Sequence, residues 1–242
     1  MKAICVIPSR YASTRLPGKP LKDIAGKPMI VRVLERAQQA KHIDKALVAT
    51  DDARIVQAVQ ACGGEAVMTS KDCQTGTDRL AEVARACTNY DVVINVQGDE
   101  PLIDPVLIDR LAALFEDDSP LCMATVRTPI HNEAEAQNPN NVKVVCDLQG
   151  YALYFSRSLL PYLRQKAPVY KHLGIYAYRR DFLLTFATLP RSPLETAESL
   201  EQLRALENGY RIRVIEAQGS FIGVDTEADL EKVRAIYRQM QR

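Results

Sequence analysis

Four cations stand close together near the amino terminus: Arg10, Arg15, Lys19 and Lys22, in the segment IPSRYASTRLPGKPLK (7–22). No acidic residue precedes position 23, so these charges have no local partner and either face solvent or await an anion. With the hydroxyls of Ser13 and Thr14 and the amides of the loop, they could neutralise a triphosphate. Two carboxylates offer the complementary chemistry. Asp99 follows an apolar run in NVQGDEP (95–101), and Asp225 lies in GVDT (223–226). Hard carboxylate oxygens at strand ends suit Mg²⁺ bound against nucleotide phosphates. A basic loop with two separate strand-end aspartates therefore describes metal-assisted phosphoryl or nucleotidyl transfer. Taken singly, each feature has a plainer reading: a solvated loop, a polar turn and, for Asp225 or Thr226, a cap on the last helix.

The first half of the chain alternates in type, which is what positions such residues. KAICVI (2–7), KALVAT (45–50), DVVINVQ (91–97) and LCMATV (121–126) are short apolar runs and read as buried strands. Between them, 29–40, 52–64, 78–87 and 105–116 carry apolar residues at helical spacing, with Asp51 or Asp52 as a cap. This βαβ alternation predicts an α/β fold with a mainly parallel central sheet and helices on both faces. In such sheets ligands bind beyond the carboxyl ends of the strands, where the basic loop and Asp99 fall. From about 132 to 175 the pattern loosens. VKVVCD and YALYFS read as a hairpin, and an extended run HLGIYAYR follows. Helices at about 194–208 and 226–240 flank the strand RIRVIEA. The reading is one domain, 1–242, with a small inserted lobe at about 132–175.

With 31 basic and 30 acidic residues the net charge is +1, so nucleic acid and an anionic membrane are excluded as main partners. The six cysteines form no CxxC pair and read as buried free thiols of a reducing compartment. No signal-peptide core and no run of membrane-spanning length occurs, so the expectation is a cytoplasmic protein. The loop is neither GxGxxG nor GxxxxGK[ST], which argues against a dinucleotide fold or a P-loop ATPase.

The motifs IPSRYASTRLPGKPL, VATDD, TGTDRL, NVQGDEP, KVVCD, YALYFSRS, YKHLGIYAYRRDFL, LEQLRALENG and GVDT closely resemble those of the 3-deoxy-manno-octulosonate cytidylyltransferases, over residues 4 to about 236. The resemblance implies the nucleotide-diphospho-sugar transferase fold, Mg²⁺ dependence and a homodimer. The aromatic residues Tyr151, Tyr154, Phe155, Tyr162 and Tyr170 make the inserted lobe the expected contact surface, against the alternative that they pack on the parent sheet. The implied reaction joins CTP and 3-deoxy-D-manno-octulosonate (KDO) to give CMP-KDO and pyrophosphate for lipopolysaccharide synthesis. By direct displacement, the anomeric 2-hydroxyl attacks the α-phosphorus. Arg10, Ser13, Arg15 and Lys19 then serve the phosphates, Gln97 lies near the ribose, and Asp99 and Asp225 hold the metal. Arg79 is a candidate for the cytosine pocket, against the alternative of a helix-surface ion pair with Asp78 or Glu82. The resemblance assigns Arg157, His172, Glu201 and Gln202 to KDO, with Glu198 and Gln202 expected on one face of a helix. The 8-amino analogue of KDO remains open as the sugar, and a non-catalytic nucleotide-binding regulator is the alternative of another class. Ser9 stands where alanine is common in the family.

Overall fold

The segment AICVIPS forms β1 (Ala3–Ser9) at the centre of the main sheet. Side chains alternate across a strand, and here Ala3, Cys5 and Ile7 enter one apolar core while Ile4 and Val6 enter the other. The computed structural model describes the chain of 242 residues except positions 14, 118, 119, 220, 241 and 242. The Thr14 hydroxyl of the basic loop lies outside the described residues.

After β1 come the two-residue strands β2 (Asp23–Ile24) and β3 (Lys27–Pro28), then α1 (Met29–Ala37), β4 (Lys45–Thr50), α2 (Ala53–Ala61) and β5 (Ala66–Met68). The chain continues through α3 (Gly76–Ala86), β6 (Val92–Asn95), α4 (Pro105–Asp117), β7 (Met123–Ile130) and α5 (Glu133–Gln137). Then follow β8 (Lys143–Cys146), β9 (Ala152–Ser156), β10 (Val169–Arg179), α6 (Arg180–Phe186), α7 (Pro193–Glu198), α8 (Gln202–Glu207), β11 (Ile212–Glu216) and α9 (Glu227–Met240). The sheet order is β11-β7-β10-β6-β1-β4-β5. β1 pairs in parallel with β4 and β6, β4 with β5, and β7 with β11; β10 alone on this path runs antiparallel, between β6 and β7. The expected mainly parallel α/β sheet is therefore present.

Helices α1, α2 and α4 cover one face through Ile30, Val33, Leu34, Ile55, Val59, Leu111 and Phe115. Helices α3, α6 and α8 cover the other through Leu80, Ala84, Phe182, Phe186 and Leu203. A third, smaller core joins Leu16, Ile24 and Met29 to Val224 and to Leu230, Val233 and Tyr237 of α9. Each such side chain removed from water contributes about 1.5–3 kcal/mol. The basic loop is thus anchored by apolar residues at its ends and against the last helix, while its cations stay outside the core.

Three expectations need correction. The helix expected at 194–208 is two helices, because Ser199 is left-handed (φ 51, ψ 49) and breaks the ladder between α7 and α8. Glu198 and Gln202 therefore do not share a continuous helical face. In the lobe, the β8–β9 hairpin pairs with the start of β10, which then runs on between β7 and β6. The lobe's aromatic residues do not all wait for a partner. Phe155 is fully buried in the second core and Tyr154 and Tyr170 pack against it, whereas Tyr162 is 86% exposed. Finally, of the thiols expected to be buried only Cys5 is fully so, and Cys62 is exposed. Among the described residues no helix is long and apolar enough to cross a membrane.

Candidate active site

The loop after β1 turns on Gly18, whose φ of +66° is the left-handed region that glycine enters without strain. Leu16 accepts a hydrogen bond from the Lys19 amide at 3.1 Å, and a single 3₁₀ turn, Lys19–Leu21, directs Lys19 inward. The Lys19 ammonium donates to Asp99 Oδ2 at 2.7 Å, to the Val224 carbonyl at 2.9 Å and to Asp225 Oδ1 at 3.3 Å. Arg15, largely in solvent, reaches Asp225 Oδ1 at 3.0 Å. Arg10 donates to the Cys73 carbonyl at 2.6 Å, and Ser13 Oγ accepts from the Leu16 amide at 3.3 Å.

Asp99 reaches this point because β6 ends beside β1 and the next turn lies almost against it. A Cβ on Gly98 would stand 3.0 Å from the Pro8 carbonyl oxygen and 3.3 Å from Ile30 Cδ1, so the close approach needs glycine. Asp225 arrives from the far end of the chain. Its segment is fixed by a backbone hydrogen bond from Val224 N to Asp99 O at 2.9 Å. Thr226 caps α9 in a reciprocal arrangement with Asp229, at 3.1 and 3.2 Å, which leaves the Asp225 carboxylate for Lys19 and Arg15.

Arg10, Ser13, Arg15, Lys19, Gln97 and Asp99 all line one cleft of about 340 Å³, together with Pro8 and Ser9. Ser9 is buried, and its hydroxyl has no hydrogen-bond partner. The chain thus gathers three cations, Arg10, Arg15 and Lys19, and two carboxylates at the carboxyl end of the parallel strands. Among the described residues no cluster of three or more His, Cys, Asp or Glu could hold a metal ion. The donor set nevertheless fits Mg²⁺, which keeps one or two carboxylates plus substrate phosphates and water. That Asp99 and Asp225 already converge on one cation, Lys19, shows that their oxygens can share a positive charge.

Glu100, next to Asp99 in NVQGDEP, joins this charge cluster. Burial, then the neighbouring Asp99 charge, pushes its carboxyl up to about 7, and Asp225 acts in the same direction. A half-buried carboxyl beside two others is a signal that only the fold reveals.

Arg79 does not line the cleft. Its side chain is 0% exposed, donating to Asp51 Oδ2 at 2.9 Å and to the Thr69 hydroxyl, with Nε unpartnered. The surface ion pair with Asp78 or Glu82 is absent for a local reason. Asp78 closes the capping box of α3 with Thr75, and Glu82 accepts from the Ser70 amide. Of the VATDD motif, Asp51 serves Arg79 and Asp52 caps α2.

The residues expected at the sugar lie on β9, β10 and the broken helix. β10 shifts register against β7 between Leu173 and Tyr176, and Gln97 Nε2 donates to the Gly174 carbonyl at 3.1 Å, tying the nucleotide side to this irregularity. His172 Nε2 meets Thr125 Oγ1 at 2.8 Å, and Phe155 and Tyr176 flank the ring at 4.9 and 5.4 Å. Burial pushes the imidazole down to about 3, so it is neutral at ordinary pH and cannot act as a cation. Glu201 accepts from Thr77 Oγ1 at 2.5 Å and pairs with Arg204 at 3.4 Å; burial raises its carboxyl. It also borders a pocket of about 330 Å³ with Thr75, Arg191, Glu195, Thr196 and Ser199. Tyr176 is half-buried beside His172, and its phenol is raised by burial and by the Glu201 charge.

Arg157 differs most from expectation. Its fork donates to three carbonyls, Glu198 at 2.7 Å, Pro139 at 3.2 Å and Ser199 at 3.3 Å, and so clamps the end of α7. The buried Lys143 supports it from behind, donating to the carbonyls of Asn138, Asn141 and Arg157 itself. Gln202 is buried at the first position of α8.

The profile of the family described as Cytidylyltransferase matches residues 4–212. A 3-deoxy-manno-octulosonate cytidylyltransferase of Syntrophotalea carbinolica is 53% identical over 98% of this chain and 99% of its own length. One of Geobacter sulfurreducens is 52% identical over 96% and 98%. Among solved structures, a CMP:2-keto-3-deoxy-manno-octonic acid synthetase complexed with CTP superposes with a TM-score of 0.95 at 52% identity, covering 99% of this chain and all of that one. A cytidylyltransferase from Leptospira borgpetersenii, 18% identical and covering 99% and 87%, has a TM-score of 0.66 and shares the fold. With the profile and the near full-length relatives in agreement, the chain belongs to the 3-deoxy-manno-octulosonate cytidylyltransferase family.

Proposed function

We propose that the protein transfers CMP from CTP to the anomeric 2-hydroxyl of KDO, releasing pyrophosphate and supplying CMP-KDO to lipopolysaccharide synthesis. The observation that carries the site assignment is the convergence of Lys19 on Asp99 and Asp225, residues 80 and 206 positions away from it. In the transfer, the sugar oxygen forms a bond to the α-phosphorus and the bond from that phosphorus to the β-phosphate oxygen breaks. Pyrophosphate leaves with the electron pair, and the hydroxyl proton passes to solvent. Arg10, Ser13, Arg15 and Lys19 bind and orient the phosphates, and Gln97 stands at the ribose end of the cleft. Asp99 and Asp225 would hold Mg²⁺, and when bound it would supply neutralisation of the charge that builds on the phosphates. Arg79 acts one step back from the nucleotide, fixing the Asp51 and Thr69 segments. His172, Glu201 and Gln202 face the sugar hydroxyls, with Arg157 holding the loop that presents them. Positioning and fixed charge account for the acceleration without a dedicated protein base.

The working form is a cytoplasmic homodimer. An open groove of about 890 Å³ beside the lobe is lined by Pro129, Ile130, Leu159, Tyr162, Leu163 and Val169. A second copy covering it would bury the exposed Tyr162 and Leu163. Sedimentation at micromolar concentration giving a 27 kDa species would refute the dimer. The test of the reaction is pyrophosphate release from CTP, UTP, ATP and GTP against KDO, its 8-amino analogue and sialic acid. Release with CTP and KDO is expected; release with none of the acidic sugars refutes the reading.

A further inference from the structure

Lys19 has three N–H donors and all three are in use, on Asp99, Val224 and Asp225. In this arrangement nothing is left for a phosphate, although Lys19 stands in the cleft where phosphates are to bind. The ammonium also sits 2.7 Å from the Asp99 oxygen, in the space between the two carboxylates. A Mg²⁺ ion needs oxygens at about 2.0–2.1 Å, so it and the Lys19 ammonium are alternative occupants of that space. The Lys19 side chain is only 16% exposed and that of Asp99 33%, so solvent screens this contact less than the one to Asp225, which is 47% exposed.

We infer that Lys19 is a built-in placeholder cation: in the nucleotide-free protein it holds Asp99 and Asp225 together and keeps the divalent metal out, and it yields the carboxylates when a triphosphate offers it new partners. The inference rests on the proposal that Asp99 and Asp225 carry the metal. It makes metal and nucleotide binding mutually reinforcing, because whatever draws the ammonium off the carboxylates favours the metal and, by linkage, the reverse. It also accounts for a loop held on either side of Lys19, at Leu16 and Ile24, by the third apolar core, with the ammonium itself at the end of a long flexible stem. Lys19 is in this sense a positioning residue for the carboxylates as well as a partner of the phosphates.

The test is an Mn²⁺ titration of the full chain without nucleotide, followed by the electron paramagnetic resonance of the free aqua ion. Lys19→Met removes the ammonium and keeps the stem. It should bind one Mn²⁺ at least about tenfold more tightly than the unaltered protein, the scale of one charge-assisted hydrogen bond. Lys19→Arg, which keeps the charge, should not gain, and Lys19→Met with Asp99→Asn should lose the gain. Thermal melting gives an independent reading: Mn²⁺ should raise Tm in Lys19→Met more than in the unaltered protein. Equal Mn²⁺ affinity with and without the ammonium overturns the inference, as does a gain that persists after Asp99→Asn. The underlying metal assignment is tested separately by turnover. If Asp99→Asn and Asp225→Asn each keep full activity at limiting Mg²⁺, that assignment fails and the placeholder with it. If both lose activity but Lys19→Met binds Mn²⁺ no better, only the placeholder fails.

Discussion

Gly98→Ala tests whether the metal-side aspartate is placed by backbone packing. The added Cβ would lie 3.0 Å from the Pro8 carbonyl oxygen and 3.3 Å from Ile30 Cδ1, against an ordinary contact of 3.4–4 Å. The first neighbour is backbone of the central strand β1, and the second is a fully buried side chain on α1, so neither can swing away. The turn after β6 must therefore lift by a few tenths of an ångström, at a cost of about 1–3 kcal/mol, the usual scale for overpacking. Asp99 is the next residue, one Cα step away, and moves with the turn. A displacement of about 1 Å can cost 100-fold in rate, so a shift of about 0.3 Å should lower kcat/KM by roughly fourfold. Urea unfolding gives the stability and pyrophosphate release gives kcat/KM. Gly76→Ala is the control, because a Cβ there finds its nearest neighbour at 3.6 Å, ordinary van der Waals contact. If the two variants match in stability and in activity, the close approach at Gly98 does not position Asp99.

Asp99→Asn and Asp225→Asn should each nearly abolish turnover while CTP still binds, since the amide keeps the shape and loses the charge that holds the metal; calorimetric CTP titration beside the rate assay checks it. Arg157→Ala and Gln202→Ala should raise KM for KDO and leave that for CTP nearly unchanged, and the reverse pattern would move the sugar site elsewhere. For Arg157→Ala a fall in Tm is also expected, because its fork caps the end of α7. His172 is held down to about 3 by burial, whereas the unfolded imidazole titrates at 6.5. Its stabilising contribution is complete above pH 6.5 and falls as the pH drops towards 3, by about 2 kcal/mol between pH 6.5 and 5. His172→Phe should flatten that acid limb in urea unfolding. Arg79→Ala leaves Asp51 without its buried partner and should destabilise by about 3 kcal/mol in urea unfolding, so that its effect on KM is read only in variants shown to be folded.

Local pattern in the chain determined a good deal. The strand at 45–50 matches β4 at both ends, and the hairpin around Asp147–Gly150 is present as β8 and β9. These follow from period-2 and period-3.6 apolar spacing, which short-range sterics and burial enforce wherever the segment lies. The unpartnered cations of the opening loop and the strand-end aspartates were equally plain, because charge without a local partner is a property of sequence alone.

Tertiary structure decided who answers whom. Nothing in the order of residues places Asp225 beside Asp99 and Lys19; a backbone hydrogen bond across the sheet end and the packing of α9 do. Arg79 reads like a surface helix residue, yet α3 turns it inward onto Asp51, where Asp78 and Glu82, its sequence neighbours, are engaged elsewhere. The break at Ser199 escapes a helical reading because 194–208 keeps helical spacing on either side of one left-handed residue. The depressed imidazole of His172 and the raised carboxyl of Glu100 depend on burial and on charges from distant segments. Sequence sets which groups can form elements and carry charge; long-range packing alone sets the distances, and electrostatics at a site is a function of distance.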